Sequence, residues 1–152
     1  MSIRYRVFAI GYGWLPAVDG VYTAGTPNEN QYAGIKGRTI GGISMMRPDN
    51  NLIKYQVTNY GGVTFDWVTK YNGPNGTGEP YAGSGAPVGV FRVMSTYPIR
   101  GRVRDAGSSM QNFGWSPWVM PSQTSGQWLL ELRTPVSWGF QRSMDGIQLA
   151  DA

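Results

Sequence analysis

Ile3-Arg4-Tyr5-Arg6-Val7 recurs as Ile53-Lys54-Tyr55-Gln56-Val57 and again as Ile99-Arg100-Gly101-Arg102-Val103. The three stretches begin 50 and 46 residues apart. Each alternates apolar with polar or basic residues, the period-2 pattern of a strand with one buried face. That alternation predicts Ile, Tyr and Val inward and the basic residues facing water. An aromatic segment follows each opening: Gly13-Trp14-Leu15-Pro16-Ala17-Val18, then Thr64-Phe65-Asp66-Trp67-Val68, then Gly114-Trp115-Ser116-Pro117-Trp118-Val119. From Val7 to Val18 and from Val57 to Val68 is 11 residues, but from Val103 to Val119 is 16, so the third copy carries a five-residue insertion, expected within Asp105 to Asn112.

A third block closes each copy. It runs from Tyr32-Ala33-Gly34 to Met45 in the first and from Tyr81-Ala82-Gly83 to Val90 in the second; in the third it is matched to Trp138-Gly139-Phe140 through Leu149. Three blocks in the same order mark internal repeats, at 3–48, 53–95 and 99–149 of a single domain spanning 1–152. Between blocks, Gly- and Pro-rich stretches such as Asn72-Gly73-Pro74-Asn75-Gly76 read as surface turns. Helical periodicity is missing, and the best helical candidate, Gln127 to Arg133, is short and bounded by Gly126 and Pro135. The fold class expected is therefore all-β. One copy of roughly 45 residues cannot bury its own apolar face, so the copies must close around a shared core. Threefold repetition predicts a pseudo-threefold domain, β-prism-like, with a β-trefoil as the alternative.

Composition narrows the function. The 152 residues hold 22 glycines and 10 prolines without a collagen period, which suits many turns between short strands. Cysteine and histidine are both absent. That removes thiol chemistry, disulfides, the commonest metal ligand and the commonest general base near neutral pH, so no enzyme and no cofactor is expected. The net charge of +4 implies attraction to anionic surfaces. No stretch is long and apolar enough to suggest a membrane span, and the basic, alternating start does not read as a secretory leader.

The order I-x-Y-x-V, then W-x-P-W-V, then Y-A-G-x-x-G resembles the Trp-containing repeats appended to secreted hydrolases and phage endolysins of Gram-positive bacteria, and is similar to the clostridial hydrophobic repeats with a conserved Trp. The likeness covers about residues 3 to 149. The third copy departs from it with Gly101 in place of Tyr and without a clear Tyr-Ala-Gly. The resemblance implies a wall- or polysaccharide-attachment module, here without a catalytic domain beside it.

Candidate ligand-binding residues follow from sugar chemistry, in which an aromatic face stacks on C–H groups and polar groups fix hydroxyls. They are Trp14, Asp19, Tyr32, Trp67, Asn72, Tyr81, Trp115 and Trp118. Core packing is the competing role for the tryptophans, and hairpin-turn chemistry for Asp19, Asp66, Asn72 and Glu79. Tyr32 and Tyr81 precede Ala-Gly turns and are expected to be exposed. Equivalent sites are expected around Trp14 with Tyr32 and around Trp67 with Tyr81. Arg4, Arg6, Arg100, Arg102 and Arg104 would form a basic stripe for phosphate or carboxylate, although a solvated face that blocks edge pairing explains the same pattern. No pair among the nine carboxylates recurs at matching repeat positions, as a repeated glycosidase site would require. Phosphate-loop and calcium-loop patterns are absent.

The function expected is a non-catalytic, lectin-like module for bacterial cell-wall or surface polysaccharide, peptidoglycan included. A structural subunit of a phage virion, tail or other surface assembly is the alternative. Either places the protein at a cell surface or on a particle, reached by lysis where no leader is present. No nucleic-acid motif is present, so nucleic acid is not the partner expected.

Overall fold

The computed structural model describes residues 3–46, 52–69, 81–107, 111–139 and 142–152. Asn72, Glu79 and Phe140, singled out above, lie outside them. The chain is all-β, with three open sheets. In order, the strands are β1 (Arg4–Ala9), β2 (Gly13–Trp14), β3 (Val18–Asp19), β4 (Ala33–Gly34), β5 (Ile40–Met46), β6 (Leu52–Asn59), β7 (Ala82–Gly83), β8 (Val88–Ser95), β9 (Ile99–Asp105), β10 (Ser122–Thr124), β11 (Gln127–Arg133) and β12 (Met144–Asp151). A 3₁₀ turn covers Val136–Trp138.

The opening strands β1, β6 and β9 pair antiparallel with β5, β8 and β12, which sets Val7 opposite Ile43, Val57 opposite Phe91 and Val103 opposite Ile147. The aromatic segments fold back on the other edge of the opening strands. Val18, Val68 and Val119 pair with Tyr5, Tyr55 and Gly101, while Trp14, Thr64 and Trp115 pair with Phe8, Thr58 and Arg104. The intervals Phe8 to Trp14 and Thr58 to Thr64 thus correspond to Arg104 to Trp115, and the five extra residues lie between these last two. Asp105 organises that loop by accepting the Gly107 and Phe113 N–H groups, each at 2.9 Å.

The outer edge of each closing strand takes a strand from a different sequence copy: β7 lies on β5, β11 on β8, and β4 on β12. The last join ties an N-terminal strand to the C-terminal one. Glycine is required where two of these strands cross. Gly34 (φ 142°) lies over Gly146, where a Cβ would land on the Asp145 carbonyl oxygen; Gly83 (φ 119°) lies over Gly42, where a Cβ would come within 2.6 Å of the Gly41 carbonyl. The corresponding place on β8 holds Leu132-Arg133, opposite Phe91 and Val90. This corrects the match of Trp138-Gly139 to Tyr-Ala-Gly: the counterpart of Tyr32 and Tyr81 is Glu131. The third copy runs a long strand along β8 instead of a brief crossing, so glycine is not needed. Trp138 instead stacks on Phe113, with ring centroids 5.4 Å apart.

The same substitution of a long strand for a crossing explains Gly101. The Tyr5 hydroxyl accepts the Leu149 N–H (2.9 Å), and the Tyr55 hydroxyl accepts the Met45 N–H (3.3 Å). Each caps a closing strand beyond the reach of its short neighbour, satisfying a buried backbone donor. Burial raises the Tyr5 phenol above its ordinary range, against the opposing pull of Leu149, so the hydroxyl stays protonated. Along β8, the long strand β11 sets Leu130 opposite Val93, so no tyrosine is called for. The side chains of Leu132 and Leu149 fill the space beside Gly101.

The inward residues of all three sheets meet in one core: Ile3, Tyr5, Val7, Ile43, Met45, Tyr55, Val57, Phe91, Val93, Ile99, Val103, Leu132, Ile147 and Leu149 among them. Each large apolar side chain removed from water there contributes about 1.5–3 kcal/mol. β5 and β12 are buried on both faces nearly throughout, because a layer of aromatic and guanidinium groups covers their outer side. Tyr81 lies against Gly42, and Trp115 against Gly146.

Candidate functional site

That outer layer is densest where the first and third copies meet. Arg104, on β9, donates from Nε to Asp145 Oδ1 (2.6 Å) and from Nη1 to the Tyr32 hydroxyl (2.9 Å). Asp145, wholly buried, also accepts the Gly37 N–H at 2.7 Å. Its burial pushes the carboxyl above the usual range, against Arg104 and Gly37. Burial likewise works against the Arg104 charge, but the hydrogen bonds to Asp145 and Tyr32 outweigh it and hold the guanidinium above its ordinary value. The Arg104 guanidinium sits 4.7 Å from the Tyr32 ring centroid, and Tyr32 meets Trp115 edge-on at 5.2 Å.

Arg102 lies beside them, 5.0 Å from the Trp115 ring and 4.9 Å from Trp118. Its Nε donates to Gln148 Oε1 (2.8 Å), and its Nη2 donates to Thr23 Oγ1 (3.0 Å) and the Gly25 carbonyl (2.7 Å). Trp118 Nε1 donates to the Thr23 carbonyl at 3.0 Å. These bonds strap residues 21–25 of the first copy across the face of the third. Tyr22 is held between Arg100, 3.6 Å away, and Trp118, 5.1 Å away. Burial pulls the Arg102 guanidinium below its ordinary value.

The other two junctions differ. At the join of the first and second copies, Tyr81 meets Trp14 edge-on at 5.2 Å, Phe8 flanks Trp14 at 5.7 Å, and the Arg6 guanidinium lies 4.8 Å from the Trp14 ring. At the join of the second and third copies the Tyr–Trp pair is replaced. Thr64 stands where Trp14 and Trp115 stand, and Glu131 where the tyrosines stand. Arg92 donates to Glu131 Oε2 (2.8 Å) and Thr58 Oγ1 (3.0 Å), while Arg133 also pairs with Glu131. Burial opposes the Glu131 charge, yet Arg92 and Arg133 hold its carboxyl below the usual range.

The tyrosines therefore reach across to the neighbouring copy, and the expected pairings are corrected: Tyr32 joins Trp115, and Tyr81 joins Trp14. Tyr32 is buried rather than exposed, because its hydroxyl is committed to Arg104; Tyr81 is exposed as expected. Trp14, Trp67, Trp115 and Trp118 are all half-buried on the outer layer, outside the core. Trp67 carries Lys54 4.6 Å from its ring. The basic stripe does not simply face water. Arg4 is exposed, and its Asp19 partner lies at 3.8 Å on the surface; Arg6 and Arg102 are buried, since cation–π contact with the tryptophans holds them down.

Two clefts flank the Tyr32–Trp115 wall, and Lys36 lines both. The first, about 780 Å³, is lined by Leu15–Asp19, Glu29, Asn30 and Tyr32 through Lys36. The second, about 680 Å³, is lined by Gly25, Thr26, Lys36, Arg102, Arg104, Asn112, Phe113, Gly114 and Trp115. Glu29, Lys36, Asn112 and Phe113 escaped the sequence reading because none has a counterpart in the second copy. Comparison with family models, with curated proteins and with solved structures gives no match to this chain. No helix among the described residues is long and apolar enough to cross a membrane.

Proposed function

We propose that this chain is a non-catalytic carbohydrate-binding module, three repeats arranged about a pseudo-threefold axis in the manner of a β-prism, that recognises bacterial cell-wall or surface polysaccharide at a cell surface or on a virion. The shared pairing order of the three sheets supports the symmetric arrangement. Trp115 carries the functional reading: it is half-buried at the wall of a cleft of about 680 Å³ with Asn112, Thr26 and two arginines around it. An apolar ring face bordered by a few convergent polar groups suits a saccharide. Asn30, Asp19 and Glu29 in the adjoining cleft can accept hydrogen bonds from sugar hydroxyls.

Sedimentation of the full chain with purified Gram-positive walls, competed by soluble oligosaccharides, tests this reading. Wild type is expected in the pellet. Trp115→Leu should bind at least tenfold more weakly while circular dichroism still reports a folded β protein. If neither walls nor any soluble polysaccharide retains the wild-type chain, the reading fails. Release of reducing ends from the walls would overturn its non-catalytic part and draw attention to Asp19 and Glu29, which share one cleft.

A further inference from the structure

We propose that the cleft bounded by Lys36, Arg102, Arg104 and Trp115 takes an anionic group of the polysaccharide, a phosphate or a carboxylate; this rests on the glycan-binding reading above. Among the described residues, three cations and no carboxylate line that cleft. Arg104 is neutralised from behind by Asp145, but Arg102 is buried and, among the described residues, bonds to the neutral acceptors Gln148, Thr23 and Gly25. Burying a guanidinium without an opposite charge is unfavourable unless something compensates it. The two tryptophan rings and three neutral acceptors do so in part, and an anion in the adjoining cleft would complete the compensation.

A second feature points the same way. Arg104 Nη2 is buried and has no hydrogen-bond partner among the described residues, although Nε and Nη1 are both engaged. Native structures rarely leave such a donor unmet. Held by Asp145 and Tyr32, the Arg104 guanidinium keeps a fixed positive charge in the cleft lining, which favours a phosphate or carboxylate there. Lys36, exposed at the rim, adds a further positive charge. Trp115 and Phe113 would then border the sugar that bears the anion. The corresponding junction of the second and third copies supplies its own carboxylate, Glu131, to its own arginine, Arg92.

The test uses the full chain, intact walls, and walls stripped of phosphodiester-linked polymers. Three soluble competitors accompany them: a glycerol phosphate oligomer, a hexuronate oligomer and a neutral N-acetylglucosamine oligomer. Competition by the phosphate oligomer, with loss of binding to stripped walls, names phosphate; competition by the hexuronate with stripped walls still bound names carboxylate. Lys36→Gln should weaken the effective anion about threefold to fivefold and Lys36→Glu more. Raised salt should weaken the anion likewise. Equal retention on both walls with no competition by either anion overturns this proposal and leaves glycan binding standing. Retention on neither wall removes both. An anion that binds equally well to the wild type and both Lys36 variants overturns the placement, and tighter binding to single-stranded nucleic acid than to any glycan overturns the choice of ligand.

Discussion

The join between the first and third copies and the join between the second and third occupy corresponding places in their sheets, yet they are held together by different chemistry. At the first, Tyr32 crosses to Trp115 through a two-residue strand that needs glycine at position 34, and the cation Arg102 stands on the opening strand beside Gln148. At the second, Glu131 crosses within the long strand β11, and the cation Arg92 stands on the closing strand opposite Gln56. Arginine and glutamine have traded strands. A chain that brings a long strand gains backbone hydrogen bonds and can do without the aromatic wall. A chain that brings only two residues must hold on with rings, a buried ion pair and a tyrosine hydroxyl. The aromatic join borders a cleft whose described lining holds Lys36, Arg102 and Arg104 and no carboxylate; at the polar join Glu131 is paired with Arg92 and Arg133.

The comparison can be broken most sharply at the crossing. Gly34→Ala puts a methyl on the Asp145 carbonyl and should destabilise by about 3 kcal/mol, whereas Arg133→Ala, at the corresponding position on the polar side, should change stability by less than about 0.5 kcal/mol. Urea unfolding of the two variants reads the difference, and comparable losses would mean that the joins are not built differently. Trp115→Ala comes next, with an expected loss of about 2–3 kcal/mol, since the ring is only half-buried; Thr64→Ala should lose well under 1 kcal/mol. Tyr5→Phe leaves the Leu149 N–H unmet and should lose about 1–2 kcal/mol by the same measurement. If Tyr5→Phe were neutral, the hydroxyl cap would not be the substitute for a strand that its geometry implies.

The smallest effect sharpens the polar side through pH. Glu131 has a carboxyl held below its unfolded value, so its contribution is present above the unfolded pKa and is lost as pH falls through the folded one. The pair is partly exposed, so the gap in melting temperature between wild type and Glu131→Gln should be small at neutral pH. It should vanish in acid. A gap that stays constant down to the acid range would show that the Arg92 and Arg133 pairs contribute nothing measurable.

Much of the fold was legible because it rests on local rules. Alternation in Ile3 to Val7, Ile53 to Val57 and Ile99 to Val103 needs only the strand period, and the valine intervals located the extra loop residues between Arg104 and Trp115. The strand β11 was hidden: Gln127-Trp128-Leu129-Leu130-Glu131-Leu132-Arg133 lacks strict alternation and β-branched residues, so only its long partner β8 makes it a strand. Glu131 as the third member of the tyrosine series was hidden with it.

What the sequence determined by itself was therefore the all-β character and the three alternating stretches that open the sheets, with the identity of their aromatic and basic residues. What only the tertiary structure decided was which of those residues meet. Strand pairing within a copy follows from period and short loops, but β4, β7 and β11 each leave their own copy to lie on another closing strand, and that exchange moves Tyr32 to Trp115 and Tyr81 to Trp14. The burial of Arg102 and Arg6 belongs to the same decision. A basic residue on an outward strand position faces water until a ring and a loop from elsewhere in the chain are laid over it, and no local rule of the sequence carries that information.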